Sequence, residues 1–259
     1  MVKNTVAILD CTDFFIDNIN LPKDSRKKYI TLRNKNCIRY LKKINIRKDE
    51  VFTEIIKIDN SIKRYEIEDF IKNNFLKYEL ILILKHCRDN TDLKELTFLN
   101  QKLREKNLRV LNLLYGKNEI YKNIELKGKI IVSLKEKEEN LFNEIMNICN
   151  SVLNLMKNNK ELLFNLCNKE NVPMINLNIN NLENIGAGIL YIIKNFKDIQ
   201  YLDVLILTLI SRKKISIEDI YYIKDPLEEY MDYNKKIILQ ELLEKNYKDN
   251  LTINLIGLK

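Results

Sequence analysis

Residues Tyr78 to Gly116 read YELILILKHCRDNTDLKELTFLNQKLREKNLRVLNLLYG, and this stretch decides the fold class. Leu80 to Leu84 is an apolar run too short for a free-standing helix, and Leu108 to Leu114 is a second one. Between them, Asp92 and Glu95 form a capping-box pattern that predicts a helix with Asp92 as its N-cap. One face of this helix then carries four leucines, Leu93, Leu96, Leu99 and Leu103. Two buried strands joined by a helix predict a right-handed βαβ unit with parallel strands.

The rest of the N-terminal part alternates between strand and helix patterns. Val6 to Leu9 predicts a central first strand. Further strands are predicted over 50–58 and 129–134, and helices over 26–44, 61–74 and 138–166, the last with a break at 157–160. This order predicts an α/β fold with a mostly parallel, doubly wound, Rossmann-like sheet flanked by helices. We assign residues 1–168 to this domain.

Residues 169–259 have a different character and form a second predicted region. Segment 171–181 is irregular or a short edge strand, 182–196 is helical, and 251–258 alternates like a strand. Residues 201–212 are apolar on nearly every side, which we interpret as a buried helix, and 234–246 is predicted as another helix. Ser216 and Asp219 form a capping box. The region is therefore predicted to be mainly helical, and both a winged-helix module and generic helical packing fit it.

The formal net charge of +8 is unevenly distributed. Between Lys23 and Lys48 there are eleven Lys/Arg and one acid, Asp24. Two interpretations stay open: a solvated helix face in a Lys-rich sequence, or a basic surface that docks an acidic protein or RNA. No interleaved aromatic platform accompanies the charges, which disfavours RNA. The candidate interaction residues of this basic face are Lys23, Arg26, Lys27, Lys28, Arg33 and Arg39.

The five cysteines and the single histidine, His86, show no metal-binding pattern. No C-x-x-C pair occurs, and zinc needs clustered ligands, so neither a metal nor another cofactor is expected. An odd, scattered set of cysteines without a signal peptide predicts reduced thiols in the cytosol or nucleus. No apolar run approaches the ~20 residues that a membrane-spanning helix needs. The sequence therefore predicts a protein of the cytoplasm, the nucleus or both, without a membrane partner.

The turns after the predicted strands lack the glycines that phosphate loops use. Such loops need Gly because only Gly lets the backbone wrap a phosphate at a helix N-terminus. The turn over Asp10–Phe14 has no Gly and two acids, and Lys85–Asp92 has no Gly either. Glycine-loop nucleotide sites, including the tubulin type, are therefore not expected. His86 and Cys87 are adjacent on a strand and point to opposite faces, so we expect no Cys–His catalytic pair.

The start of the chain resembles a known family. Thr5–Phe14 (TVAILDCTDF), followed by Leu21-Pro22 and Arg26, resembles the N-terminus of the von Willebrand A-type domain of the proteasome's ubiquitin-receptor subunit. Glu95 to Gly116 is similar to that family's helix and following strand. The resemblance implies a von Willebrand A-type sheet and a degenerate metal-ion-dependent adhesion site at Asp10 and Thr12, where Phe14 replaces one ligand.

The resemblance also implies a function. It predicts a non-enzymatic scaffold subunit of a large intracellular complex, the proteasome regulatory particle, with other protein subunits as partners. The family's ubiquitin-interacting motif has no clear copy, because Asp225–Glu229 lacks the Ala/Ser face, so ubiquitin binding is not implied. Two alternatives stay open: a degenerate Rossmann- or tubulin-like nucleotide-binding domain without phosphate loops, and a basic RNA- or ribosome-associated protein.

Overall fold

The computed structural model describes a defined part of the chain. The described residues are 4–11, 26–34, 37–48, 51–57, 71–72, 75–87, 89–116, 124–133, 138–196, 199–232, 234–244 and 250–259. They divide into two compact units, one formed by Met1–Ile145 with Val152–Asn171 and one by Met146–Ser151 with Val172–Lys259. The predicted boundary between 168 and 169 stays a prediction.

The first unit is built on a seven-stranded sheet. Its strands are β1 (Asn4–Cys11), β2 (Arg26–Asn34), β3 (Cys37–Lys48), β4 (Val51–Lys57), β5 (Leu80–Cys87), β6 (Arg109–Gly116) and β7 (Lys129–Ser133). The strand order is β2-β3-β4-β1-β5-β6-β7. The five strands β4, β1, β5, β6 and β7 are mutually parallel, whereas β2 and β3 extend the β4 edge as antiparallel strands. The predicted mostly parallel, doubly wound α/β fold with a central first strand is confirmed.

The predicted βαβ unit is present as β5, helix α1 (Asn90–Glu105) and β6. All four predicted leucines of α1 are buried and pack in one apolar cluster with residues of β1, β5 and β6. This burial fixes α1 on one face of the sheet, because an amphipathic helix gains most of its stability from its packed stripe. The helix starts three residues earlier than predicted, so Asp92 lies inside its first turn rather than at the N-cap.

Arg104, in the last turn of α1, ties this helix to its surroundings. Its Nη2 donates to the carbonyl oxygens of Val110, Lys127 and Cys167 at 2.8–2.9 Å, and its Nε donates to Asn100 Oδ1 at 2.8 Å. Burial lowers the Arg104 pKa below its ordinary value. One guanidinium thus satisfies three carbonyl oxygens from three chain segments, for which its rigid fork of donors is suited.

Two helices end the first part of the chain, α2 (Glu138–Asn158) and α3 (Lys160–Asn168). The predicted long helix with a break is confirmed, since Asn159 separates α2 from α3 and caps the second helix through a hydrogen bond from Leu162 N. The predicted helix over 61–74 lies almost entirely outside the described residues. Of that segment, only Ile71 and Lys72 are described, and both are helical.

The prediction of a helix over 26–44 is wrong, because this segment forms the antiparallel strands β2 and β3. The register pairs Asn34 with Cys37 and Arg26 with Asn45. Isoleucine and tyrosine recur at every second position from Ile38 to Ile46, apart from Lys42, which is the period of a strand. The numerous lysines obscured this period, since they fall on both helical and strand templates.

The second unit holds a four-stranded sheet in the order β10-β9-β11-β8. The strands are β8 (Met174–Ile179), β9 (Val204–Ser211), β10 (Lys236–Leu243) and β11 (Leu251–Leu258), with helices α4 (Ile185–Asn195) and α5 (Ile217–Tyr230) between them. Two short 3₁₀ helices, Leu182–Asn184 and Ile199–Tyr201, precede α4 and β9. Apolar residues of α4, α5 and the sheet form one buried cluster.

Several predictions for the second region are confirmed, and three are wrong. The edge strand within 171–181, the helix within 182–196, the strand over 251–258 and the Ser216 cap of α5 are all present. The predicted helices over 201–212 and 234–246 are instead strands β9 and β10, so the region is not mainly helical. The error over 201–212 has a physical cause: a strand buried on both faces, as β9 is, shows no alternation.

Candidate functional site at the carboxyl ends of the parallel strands

Ionisable side chains of the first unit lie at the carboxyl ends of three neighbouring parallel strands. β1 ends in Asp10 and Cys11, and β5 ends in Lys85, His86 and Cys87. The register places Cys11 beside Lys85 and His86 beside Tyr115 of β6. In open α/β sheets this edge is where ligands bind, so we take it as the candidate site.

Lys85 forms a buried ion pair with the first turn of α1. Its Nζ lies 3.0 Å from Asp92 Oδ1 and 3.9 Å from Glu95 Oε2. The side chains of Lys85 and Asp92 are only 6% and 10% exposed. A buried charge is costly unless it is paired, so each of these two groups depends on the other. The pair fixes the start of α1 against the end of β5.

The N-terminus of α1 is capped by the chain's own carboxylate. Asp89 is the N-cap residue, and its Oδ1 accepts hydrogen bonds from the backbone N–H groups of Thr91 at 2.8 Å and Asp92 at 3.0 Å. A phosphate bound at a helix N-terminus uses these same donors and the positive end of the helix dipole. A phosphate would have to displace Asp89, which costs about 0.5–2 kcal/mol of capping energy, and would then face two carboxylates.

Sequence reasoning missed this role of Asp89. It placed the cap at Asp92, three residues later, where Glu95 completes a capping box. Asp89 is followed by Asn90 and Thr91, which also fits a helix start. In the structure, Asp92 lies in the first turn of α1 and pairs with Lys85 at the end of β5.

Two cysteines lie in the apolar cluster beneath this edge. Cys11 and Cys87 are buried free thiols, and both belong to the cluster that packs against α1. Burial raises the pKa of Cys11 from 9.0 to about 12, although the nearby Lys85 acts in the opposite direction. The thiolate is the reactive form of cysteine, so Cys11 is unreactive at neutral pH.

His86 lies on the other face of β5, as the alternation of a strand requires. Its ring stacks on Tyr115, with the ring centroids 4.7 Å apart and the planes at 9°. Cys87 is buried with no exposure, whereas His86 is partly exposed. The prediction that His86 and Cys87 do not form a catalytic pair stays a prediction.

The residues named for the adhesion-type metal site are described only in part. Asp10 is fully buried at the end of β1, and Thr12 lies outside the described residues. Among the residues that the structure describes, no group of three or more His, Cys, Asp or Glu side chains is arranged to hold a metal ion. Asp10 is therefore part of the buried strand end rather than a demonstrated ligand.

The predicted basic face is distributed over a hairpin rather than a helix. Arg26, Lys27, Lys28 and Arg33 belong to β2, and Arg39 belongs to β3. Lys23 lies outside the described residues, and only the backbone is described for β2 and β3. The register sets Lys28 directly opposite Lys43.

Comparisons with known proteins clarify which fold this is. The chain matches no protein-family model and no curated protein in sequence. Two solved structures of FtsZ from M. jannaschii match its fold. One is a mutant, with 8% identity, a TM-score of 0.56 and coverage of 76% of this chain and 69% of that chain. The other is an empty dimer, with 8% identity, a TM-score of 0.58 and coverage of 75% and 67%.

The fold is that of FtsZ. A third match, the GDP-bound monomer of CetZ1 from Haloferax volcanii, has 11% identity, a TM-score of 0.47 and coverage of 75% and 70%. Each of the two FtsZ matches covers about three quarters of this chain. At 8% identity the match concerns the fold and does not transfer residue roles.

The predicted resemblance to the von Willebrand A-type family is wrong, and the FtsZ fold replaces it. Both folds begin with a central strand and continue through parallel βαβ units, so short apolar runs and Lys-rich turns fit either. The predicted role as a scaffold subunit of the proteasome regulatory particle is wrong with it. The prediction that the chain is not an enzyme, which was drawn from the scaffold role and from the missing catalytic groups, is also contradicted by the match to FtsZ structures.

No helix among the described residues has the length and apolarity needed to cross a membrane. The predicted location in the cytoplasm or nucleus stays a prediction. The predicted protein partners likewise stay a prediction; the dimer is a property of the matched FtsZ structure.

Proposed function

We propose that the protein is an FtsZ-fold subunit that acts by self-association, and that it holds no phosphate at the N-terminus of α1. This is the degenerate, tubulin-like alternative that the sequence left open. Support for the first part comes from the fold shared with an FtsZ dimer. The second part rests on one observation, the Asp89 carboxylate that accepts from Thr91 N and Asp92 N.

The electrostatics of the site support the second part. A nucleoside triphosphate carries several negative charges. The three carboxylates at the start of α1, those of Asp89, Asp92 and Glu95, would repel it. Among the described residues, Lys85 is a cation at this site, and its Nζ lies 3.0 Å from Asp92 Oδ1. The turns at Asp10–Phe14 and Lys85–Asp92 offer no glycine that would let the backbone wrap a phosphate. The RNA- or ribosome-associated alternative stays a prediction.

The experiment compares two substitutions, each of which removes the capping side chain of one helix. Asp89→Gly removes the carboxylate from α1, and Ser216→Gly removes the corresponding cap from α5, where Ser216 Oγ accepts from Asp219 N. Thermal unfolding of both variants and the wild type is followed against inorganic phosphate and against Mg²⁺ with GTP. We expect phosphate to raise the Tm of Asp89→Gly only, because glycine exposes the N–H groups of α1 at a cost of a few tenths of a kcal/mol.

The association is measured separately, by sedimentation velocity of the wild type over a range of protein concentrations with and without Mg²⁺ and GTP. Concentration-dependent association that is the same in both conditions is the expected result. A wild-type Tm that rises with GTP by an amount equivalent to about 2.7 kcal/mol at a hundredfold excess over Kd would overturn the proposal for α1. A protein that stays monomeric throughout would overturn the proposal of self-association.

A further inference from the structure

Strand β10 lies at one edge of the four-stranded sheet, where it pairs with β9. Among the described residues, no strand pairs with its other side. The exposure of its side chains agrees with this position. Seven of the eight residues of β10 are exposed or half-buried, whereas all eight residues of β11, inside the sheet, are buried. Within the described part of the chain, the outer side of β10 is therefore an open sheet edge.

The backbone hydrogen bonds at the two ends of β10 show which of its backbone groups point outward. Lys236 N donates to Asp203 O at 3.2 Å, and Glu244 N donates to Ser211 O at 2.9 Å, so both N–H groups point to the side of β9. Directions alternate along a strand, and in a parallel pair the N–H and C=O of one residue point to the same neighbour. The even-numbered residues of β10 therefore direct their backbone groups to β9, and the odd-numbered residues direct theirs outward.

The outward groups form a regular row. They belong to Ile237, Leu239, Glu241 and Leu243, and each of these residues offers one N–H donor and one C=O acceptor. Successive members of the row are two residues apart, which is about 6.6 Å along a strand. Another extended backbone presents its own donors and acceptors at the same spacing, so such an edge is a template for one more strand.

The other edges of the two sheets carry features that disfavour strand addition. β2 contains four Lys/Arg, β7 has five residues, and β8 has six residues and follows Pro173. Charged side chains, short strands and proline each protect a sheet edge. β10 has eight residues, no proline, and charges only at Lys236 and Glu241. It is therefore the edge that is best suited to accept a strand among those described.

The side chains of the outward residues define the sequence that fits beside them. They lie on one face of the sheet, because side chains alternate along a strand. Ile237 and Leu239 are half-buried against the apolar cluster that contains residues of α4 and α5, whereas Glu241 is exposed. Directly opposed side chains of neighbouring strands stabilise a sheet when they are both apolar or of opposite charge. Apolar residues therefore fit beside Ile237 and Leu239, and a Lys or Arg fits beside Glu241.

A second copy of β10 does not supply this sequence. The outward residues of β10 are two leucines, one isoleucine and one glutamate, and none of them is basic. Pairing two copies through this edge would place Glu241 beside an apolar side chain or beside the other Glu241, and like charges directly opposite each other are destabilising. The charge at Glu241 thus favours a strand from a different protein.

We propose that β10 binds an extended segment of a partner protein as an additional strand, and that this segment has apolar residues at alternate positions and a basic residue beside Glu241. The main-chain hydrogen bonds supply the affinity, and the alternate side chains supply the specificity. This inference goes beyond the proposed function, because the partner is a different protein and self-association does not depend on it.

The first measurement concerns the full-length protein alone. Amide hydrogen exchange, followed by NMR, should be slow at the even-numbered residues of β10, whose N–H groups bond to β9, and fast at the odd-numbered residues. Slow exchange at the odd-numbered residues as well would show that this edge is already paired within the protein, and would overturn the proposal.

The second measurement uses a phage-displayed library of random twelve-residue peptides, selected on the wild-type protein. Enriched peptides should carry apolar residues at alternate positions and a Lys or Arg. The same peptides, made synthetically, should slow exchange at the odd-numbered amides of β10. Methylation of alternate backbone nitrogens in these peptides should abolish binding, because it removes the donors that pair with the edge.

Two substitutions of Glu241 separate the backbone from the charge. Glu241→Pro removes one outward N–H and keeps the bonds to β9, so it should weaken peptide binding by about tenfold or more. Glu241→Gln is the matched control, because it keeps the N–H group and the size of the side chain, and it should weaken binding by at most about fivefold. Leu243→Pro is a second block of the same edge, and thermal unfolding of each variant verifies the fold.

The outcomes also separate this inference from the proposed function. Peptides that bind the folded proline variants as tightly as the wild type would overturn the inference, as would a selection that enriches no alternating sequence. Loss of self-association in Glu241→Pro, measured by sedimentation velocity, would show that a second copy occupies the edge and would overturn it too. A wild type that stays monomeric and still binds the peptides would overturn the proposed function alone.

Discussion

Replacing Lys85 by methionine tests the structural centre of the candidate site. The side chain of Lys85 is 6% exposed, and its Nζ lies 3.0 Å from Asp92 Oδ1, whose own side chain is 10% exposed. Methionine keeps most of the length and apolar volume of the lysine side chain, so the packing beneath α1 is largely retained. The change therefore removes one partner of a buried ion pair and leaves the Asp92 carboxylate without its cation.

The expected loss is large compared with the stability of a domain. Breaking a buried pair by removing one partner typically costs about 3–5 kcal/mol, against a total of about 5–15 kcal/mol for a folded protein. We expect Lys85→Met to lower the free energy of unfolding by that amount, measured by urea denaturation. The double variant Lys85→Met with Asp92→Leu should recover most of the loss, because it removes both members of the pair.

A surface pair of the same kind provides the control. Lys102 Nζ also lies 3.0 Å from a carboxylate oxygen, Glu105 Oε2, but these side chains are 22% and 44% exposed. Lys102→Met should cost less than about 1 kcal/mol, since solvent screens exposed pairs. Equal losses for the Lys85 and Lys102 variants, or a double variant less stable than Lys85→Met alone, would refute the reasoning from burial.

Three further predictions concern the surroundings of this site. Arg104→Lys should lower the free energy of unfolding by about 1–3 kcal/mol in denaturation experiments, because lysine cannot donate at once to Asn100 Oδ1, as Nε does, and to the three carbonyl oxygens that Nη2 contacts. Gly128→Ala should cost more than about 1 kcal/mol, since Gly128 has φ +68° and an added Cβ would lie 2.5 Å from Val110 O, whereas Gly186→Ala, which meets only the movable Tyr222 side chain, should cost less. Burial raises the pKa of the Cys11 and Cys167 thiols from 9.0 to about 12. The stability that the protonated thiols contribute is therefore fully present below pH 9.0 and is lost as the pH approaches about 12. Alkylation of both thiols in the native protein at neutral pH should be slow, and rapid labelling of either one would contradict the account.

The parallel core was predictable because its signals are local and agree with one another. The apolar runs at Leu80–Leu84 and Leu108–Leu114 are short, are bounded by polar turns and enclose an amphipathic helix. The Ser216 cap of α5 was predictable for the same reason, since Ser216 Oγ and Asp219 N are three residues apart and bond directly.

The second sheet was less predictable because its central strand has no sequence period. Seven of the eight residues of β9 are buried, so both faces of the strand are apolar, and the pattern is the same as that of a buried helix. Only the partners of β9 in the sheet, β10 and β11, decide between the two, and they are distant in sequence. The assignment to the von Willebrand A-type family was wrong for a related reason. That resemblance extended over the parallel core, which many α/β folds share, and not over this second unit.

At the candidate site, the sequence allowed one prediction, which was drawn from the residues that are missing from it. The absence of glycine from Lys85–Asp92 indicated that no phosphate loop forms there, and this depends on composition alone. The carboxylate that occupies the helix N-terminus could not be identified in the same way, because Asp89 and Asp92 are both suitable caps. The structure shows that Asp89 is the cap and that Asp92 pairs with Lys85.

The backbone amide signals of Thr91 and Asp92 test the central claim most directly. In ¹H–¹⁵N NMR spectra of the wild-type protein, titration with GTP and Mg²⁺ should leave both signals unchanged, because Asp89 Oδ1 already accepts from these two N–H groups. The same two signals should move in Asp89→Gly when inorganic phosphate is added. Saturable shifts of both amides in the wild type on addition of GTP would contradict the account.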